Sequence, residues 1–162
     1  MTTIKYTLGT AFLFLAMTSF GQIDGKQIAM TMKVNENVKG LCDKSKVYSL
    51  YMMRQFPGSN ATEGQYPLNE IELLKLLNEK VTFLKDNPKY KGKFSVRVII
   101  NCKGELVSCD FESKTKNNDL NNQILEIFKS LDGWGAGTFN GELVDSTKPF
   151  YLKIKGGEIV KE

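Results

Sequence analysis

The sequence predicts an α+β fold: a small antiparallel sheet of three or more strands packed against two helices, in the order helix, strand, strand, helix, strand. Three patterns carry this expectation. Residues 94–100 place apolar side chains at every second position, as a half-buried strand requires, and residues 105–111 repeat the alternation after a turn. Residues 120–131 instead carry Leu120, Ile124, Ile127, Phe128 and Leu131 at helical spacing. A last alternating run, residues 150–154, turns Phe150, Leu152 and Ile154 one way.

The first helix is expected from Asn69 as N-cap, with Glu72 three residues on as in a capping box. Leu73, Leu77, Val81 and Leu84 form its apolar stripe, and Asp86-Asn87-Pro88 ends it. With Lys103-Gly104 as the hairpin loop, Val98 faces Cys109 and Val96 faces Phe111, so Phe94, Val96, Val98, Ile100, Val107, Cys109 and Phe111 share one core face. The second helix takes Asn118 as N-cap, with Asp119 in its positive first turn. Residues 133–137, Gly-Trp-Gly-Ala-Gly, break it, and Asn140-Gly141 is a further turn pair. Pro149 lacks a backbone donor and suits a strand end or a sheet edge.

This order resembles the C-terminal domain family of TonB, a bacterial envelope protein whose last domain reaches outer-membrane receptors. The resemblance rests on Gly92 with the following strand, the turn Asn101-Cys102-Lys103-Gly104, the strand from Glu105, the helix over 120–131, Trp134 to Gly137, Asn140-Gly141 and the Phe150 strand. Phe56-Pro57-Gly58 looks like the start of the variant of this domain found in many envelope proteins. The chain departs from the family at Gly135 and Ala136, where relatives usually carry a Lys-Pro-like pair. What the resemblance implies is engagement of a short peptide near the last strand. Carried over, the binding residues are Phe150, Tyr151, Leu152 and Lys153, with Trp134 read either as a core plug or as a ligand platform.

The N-terminus reads as a secretory signal peptide over residues 1–21: Lys5, an apolar run from Leu8 to Leu15, and small residues Ser19 and Gly21 before a cut ahead of Gln22. The rival reading, an uncleaved anchor, needs about 20 apolar residues, and this run is shorter. The expected organisation is signal peptide 1–21, N-terminal extension 22–55 and TonB C-terminal-like domain 56–162. Cleavage would leave 141 residues (162 − 21), enough for one domain with a core. Within the extension, residues 28–34 alternate weakly. Residues 47–53 are strongly apolar and could add a strand, lie over the core or form a partner surface.

Composition narrows the function. The net charge is +4 and arginine occurs only at Arg54 and Arg97, so no basic face for nucleic acid is expected. The chain has no histidine, which removes Ser-His-Asp and Cys-His catalysis and His-bearing zinc sites. Asp110 and Glu112 share a strand face with Ser108 as a carboxylate pair, or as the wet face of a sheet, the stronger reading. Residues 117–122 lack the ligand spacing of a calcium loop, and no cofactor or metal site is expected.

Three cysteines in an exported chain permit one internal disulfide. Cys102 and Cys109 should not pair, because the hairpin register separates them by about 13 Å. Cys42 is then the natural partner of either, with Cys42–Cys102 preferred and Cys109 read as a small core residue, against the alternative of three free thiols. The expected function is a non-enzymatic, exported interaction module. It would bind a protein or peptide at the cell envelope, periplasmic or secreted, with a homodimer possible and no membrane span after cleavage. A small-ligand or cell-wall-binding protein using a pocket between the helices and the Tyr48/Tyr51 segment is the second reading. The energy-transducing role of TonB does not carry over, since the four prolines, at 57, 67, 88 and 149, make no Pro-rich spacer.

Overall fold

The structure, a computed structural model, describes residues 31–32 and 38–162. The signal peptide expected over residues 1–21 and most of the weakly alternating stretch 28–34 lie outside the described residues. The elements run β1 (Thr31–Met32), β2 (Val47–Tyr48), α1 (Leu50–Met53), β3 (Ala61–Thr62), α2 (Glu70–Lys80), α3 (Thr82–Asp86), β4 (Gly92–Ile100), β5 (Leu106–Ser113), α4 (Asn118–Lys129), β6 (Gly137–Phe139), β7 (Glu142–Val144), β8 (Ser146–Lys155) and β9 (Glu158–Lys161). The class is α+β, with a six-stranded sheet in the order β1-β2-β8-β4-β5, β9 pairing β8, and a smaller sheet β3-β6-β7. Among the described residues no helix is long and apolar enough to cross a membrane.

The central pairing is β4 against β8, antiparallel from Gly92↔Ile154 to Ile100↔Ser146. On its other side β4 pairs β5 with Val96↔Phe111 and Val98↔Cys109, the expected register. A register shift at Ile99/Ile100 then brings Leu106 opposite Ile100. This bulge displaces Val107 from the face the sequence assigned it, and Leu106 packs against the core instead.

One face of the sheet is roofed by α2, α3 and α4. Leu77, Val81, Val96, Val98, Leu120, Ile124 and Phe128 are fully buried there, together with Phe94, Ile100 and Ile159. The opposite face is polar, with Arg97 paired to Glu112 and the Ser95 and Ser113 hydroxyls 3.0 Å apart. A satellite core of Leu50, Met53 and Ala61 joins α1 to the small sheet. Gly137 is forced there: a Cβ would fall 2.2 Å from Leu50 Cδ1 and 2.8 Å from the Thr62 carbonyl.

Several boundaries differ from the sequence reading. The predicted helix over 69–86 breaks at Val81 into α2 and α3, though its Asn69/Glu72 capping box forms. The cap of α4 is Asn117, not Asn118: its side chain accepts from Leu120 N at 2.9 Å. The next turn is held by Asn121, buried and bonded three ways to Thr115. The apolar run 47–53 divides into β2, which joins the sheet, and α1. The predicted final strand is longer, Ser146–Lys155, and is not final. Gly156 and Gly157, both at positive φ, turn the chain into β9, which pairs with Leu152 to Lys155.

Candidate functional site

The outer edge of β8 is covered at its two ends and open between them. At the start, β2 pairs in parallel through Tyr48↔Ser146, with Tyr48 N donating to the Asp145 carbonyl at 2.9 Å. At the end, β9 pairs from Leu152 onward, and Glu162 N donates to the Tyr151 carbonyl at 3.4 Å. Both acceptors are odd-numbered, and backbone groups alternate in direction along a strand. The carbonyls of Thr147 and Pro149 therefore face this same edge, and no described strand pairs with residues 147–151 there. Pro149 stands mid-strand rather than at the strand start. It is tolerated because its missing donor points to the unpaired side.

Even-numbered residues of β8 point toward the helices, where the opening meets a cleft of about 400 Å³ between α1, α2 and β9. Leu73 and Leu152, both buried, and the half-buried Tyr66 and Phe150 form its floor. Tyr51 and Tyr151 stand at the rim, 46% and 53% exposed. Tyr66 is fixed between two rings, edge-on to Trp134 at 6.2 Å and to Phe150 at 6.4 Å.

One carboxylate organises the charges. Glu63 Oε2 accepts from Lys148 Nζ at 2.7 Å and from the Tyr66 hydroxyl at 2.8 Å, while Oε1 accepts from Arg54 at 2.9 Å. Burial alone would raise the Glu63 pKa, but the hydrogen bonds from Lys148 and Tyr66 and the charges of Lys148 and Arg54 outweigh it and hold it below its ordinary value. Burial, then the bond to Glu63, raises Tyr66, so its hydroxyl stays a donor. The Lys148 ammonium lies 3.9 Å from the Tyr66 ring centre, 5.8 Å from Tyr51 and 6.0 Å from Phe150. Across the cleft, Lys161 pairs with Glu70 at 2.7 Å, and Glu162 pairs with Lys93.

Of the residues proposed from sequence, Phe150, Tyr151 and Leu152 line the cleft. Lys153 does not: it points to the opposite face, in register with Lys93 and Val160. Trp134 lies behind Tyr66, with its indole N–H donated to the Leu131 carbonyl at 2.8 Å, and so buttresses the cleft instead of lining it. Lys148, Tyr66 and Glu63 were missed. Lys148 precedes the proline taken as the strand start, and residues 59–65 are polar, contain a glycine and show neither a strand nor a helix period.

The cysteines pair as preferred, Cys42 with Cys102, and Cys109 is free and buried. Burial pushes the Cys109 thiol up to about 11, partly opposed by Lys129, so it stays protonated at neutral pH. Buried Asp145 secures the disulfide-linked loops by accepting from Cys102 N and Asp43 N, both at 2.8 Å. Cys42, Cys102 and Asp145 are also close enough to hold a metal ion, but the two sulfurs are bonded to each other. The carboxylate pair proposed from sequence is spoken for: Glu112 binds Arg97, and Asp110 accepts from Ser108 at 3.1 Å. No protein-family model, curated protein or solved structure matches this chain.

Proposed function

We propose that this chain is a non-enzymatic, exported interaction module that binds a protein or peptide partner at the cell envelope, with the β8 cleft as its binding place. The observation that carries this reading is the opening in the outer edge of β8 at residues 147–151, lying over an apolar cleft with two exposed tyrosines at its rim. A peptide laid along such an edge gains main-chain hydrogen bonds and buries alternate side chains. Strand addition along the whole predicted last strand is narrowed to this opening, since β9 takes the edge from Leu152 on. The signal-like N-terminus and the Cys42–Cys102 bond both suit an oxidising compartment.

A second reading, a binder of a small ligand or cell-wall fragment, draws on the cleft volume of about 400 Å³, which falls in the usual range for such sites. Site-specific photo-crosslinking separates the two. With benzoylphenylalanine at Tyr151, irradiation of envelope fractions is expected to give a discrete protein adduct that the same group at exposed Lys85 does not. Equal labelling from both positions would sink the adaptor reading. A bound small molecule in native mass spectra, with no adduct, would favour the second.

A further inference from the structure

We infer that the occupant of the cleft is an uncharged extended peptide segment carrying large apolar side chains at alternate positions. This rests on the reading of the cleft as a peptide site and adds the chemistry of the peptide.

The charge arrangement decides against a charged occupant. Each charged side chain lining the cleft already has an opposite partner within the chain: Lys148 with Glu63, Lys161 with Glu70, Glu162 with Lys93. A charge brought into the cleft loses water and meets no free counter-charge, which is costly. An uncharged side chain has no such deficit. It meets Tyr66, Leu73, Phe150 and Leu152, whose apolar surface it would cover.

The backbone decides in favour of a peptide. The outward carbonyls of Thr147 and Pro149 ask for donors, which an extended chain supplies from its amides and an acyl chain does not. The opening of residues 147–151 spans roughly 16 Å, room for about five residues. Because Lys148, Phe150 and Leu152 face the cleft, every second side chain of an added strand would face it too.

The test uses the mature protein and three acetylated, amidated hexapeptides: one alternating threonine with leucine and a central phenylalanine, and two in which that phenylalanine becomes aspartate or lysine. Binding is read by fluorescence anisotropy and located by amide shifts in NMR spectra. The neutral peptide is expected to bind at least about 10-fold more tightly than either charged one. Its affinity should change by less than about twofold between low salt and 0.5 M salt, with shifts at residues 147–151 and Tyr51. Exposed Tyr51→Asp, at the rim, should abolish binding, and Glu63→Gln, which frees the Lys148 charge, should raise affinity for the aspartate peptide. A charged peptide preferred by the native protein, with shifts in the cleft, would overturn the inference and leave the peptide site standing. Shifts elsewhere, or no binding by any of the three, would overturn both.

Discussion

The Lys148 ammonium sits 3.9 Å from the centre of the Tyr66 ring, while the Tyr66 hydroxyl donates to Glu63, the carboxylate that binds Lys148. The three side chains come from a loop, the approach to α2 and the middle of β8, so their closure ties the cleft to the sheet.

Acid should undo that closure. Because the folded Glu63 pKa lies below its ordinary value of 4.5, its contribution is complete above that value and is lost as pH falls through the folded one. Glu63→Gln is expected to cost about 1–3 kcal/mol at neutral pH. The gap to the native protein should stay constant from pH 7 to about 5 and narrow on further acidification. Urea midpoints measured across that range check this; a gap that widens toward acid would contradict it.

The Cys42–Cys102 bond closes a loop of 60 residues. In the chain-entropy account, a loop of that length stabilises the fold by about 4 kcal/mol. Cys42→Ser should lower the denaturation midpoint to that of the reduced native protein, and reductant should then have no further effect. A midpoint unmoved by the substitution would show that Asp145 and the β2 pairing suffice without it.

Gly137→Ala places a methyl group against Leu50 and the Thr62 carbonyl, and about 1–3 kcal/mol of destabilisation is expected from overpacking. Gly133→Ala has open space around the new methyl and pays only for its positive φ, about 1–2 kcal/mol. Thermal melts distinguish the two through their local effect: Gly137→Ala should also expose Tyr48 and Phe139, which pack on the satellite core, and change near-UV circular dichroism.

The central hairpin and the helices over it were legible because each repeats one period over enough residues to exclude the other. Val96, Val98 and Cys109 keep the strand period, and Leu120, Ile124 and Phe128 the helical one. Register excluded a Cys102–Cys109 bond, leaving Cys42 to pair with either cysteine; it pairs with Cys102. The short pieces were not legible: β2, β3, β6 and β7 are two or three residues long, too few to show any period. The hairpin to β9 did carry a signal, Gly156-Gly157 between an alternating run and the β-branched pair Ile159-Val160, which the expectation of Phe150 as the last strand obscured. The cleft was half legible. Phe150, Tyr151 and Leu152 were reached through the family resemblance, alternation giving only their strand and its faces, while Glu63, Tyr66 and Lys148 are 3 to 85 residues apart and meet through the tertiary fold.

Pro149, in the middle of the β8 opening, bears on how copies of this molecule behave at high concentration. A sheet border with donors all along it invites identical molecules to stack into fibrils. Here the border is interrupted at its centre by a residue with nothing to give, so unending stacking is denied its template while one short visitor can still be held at either side.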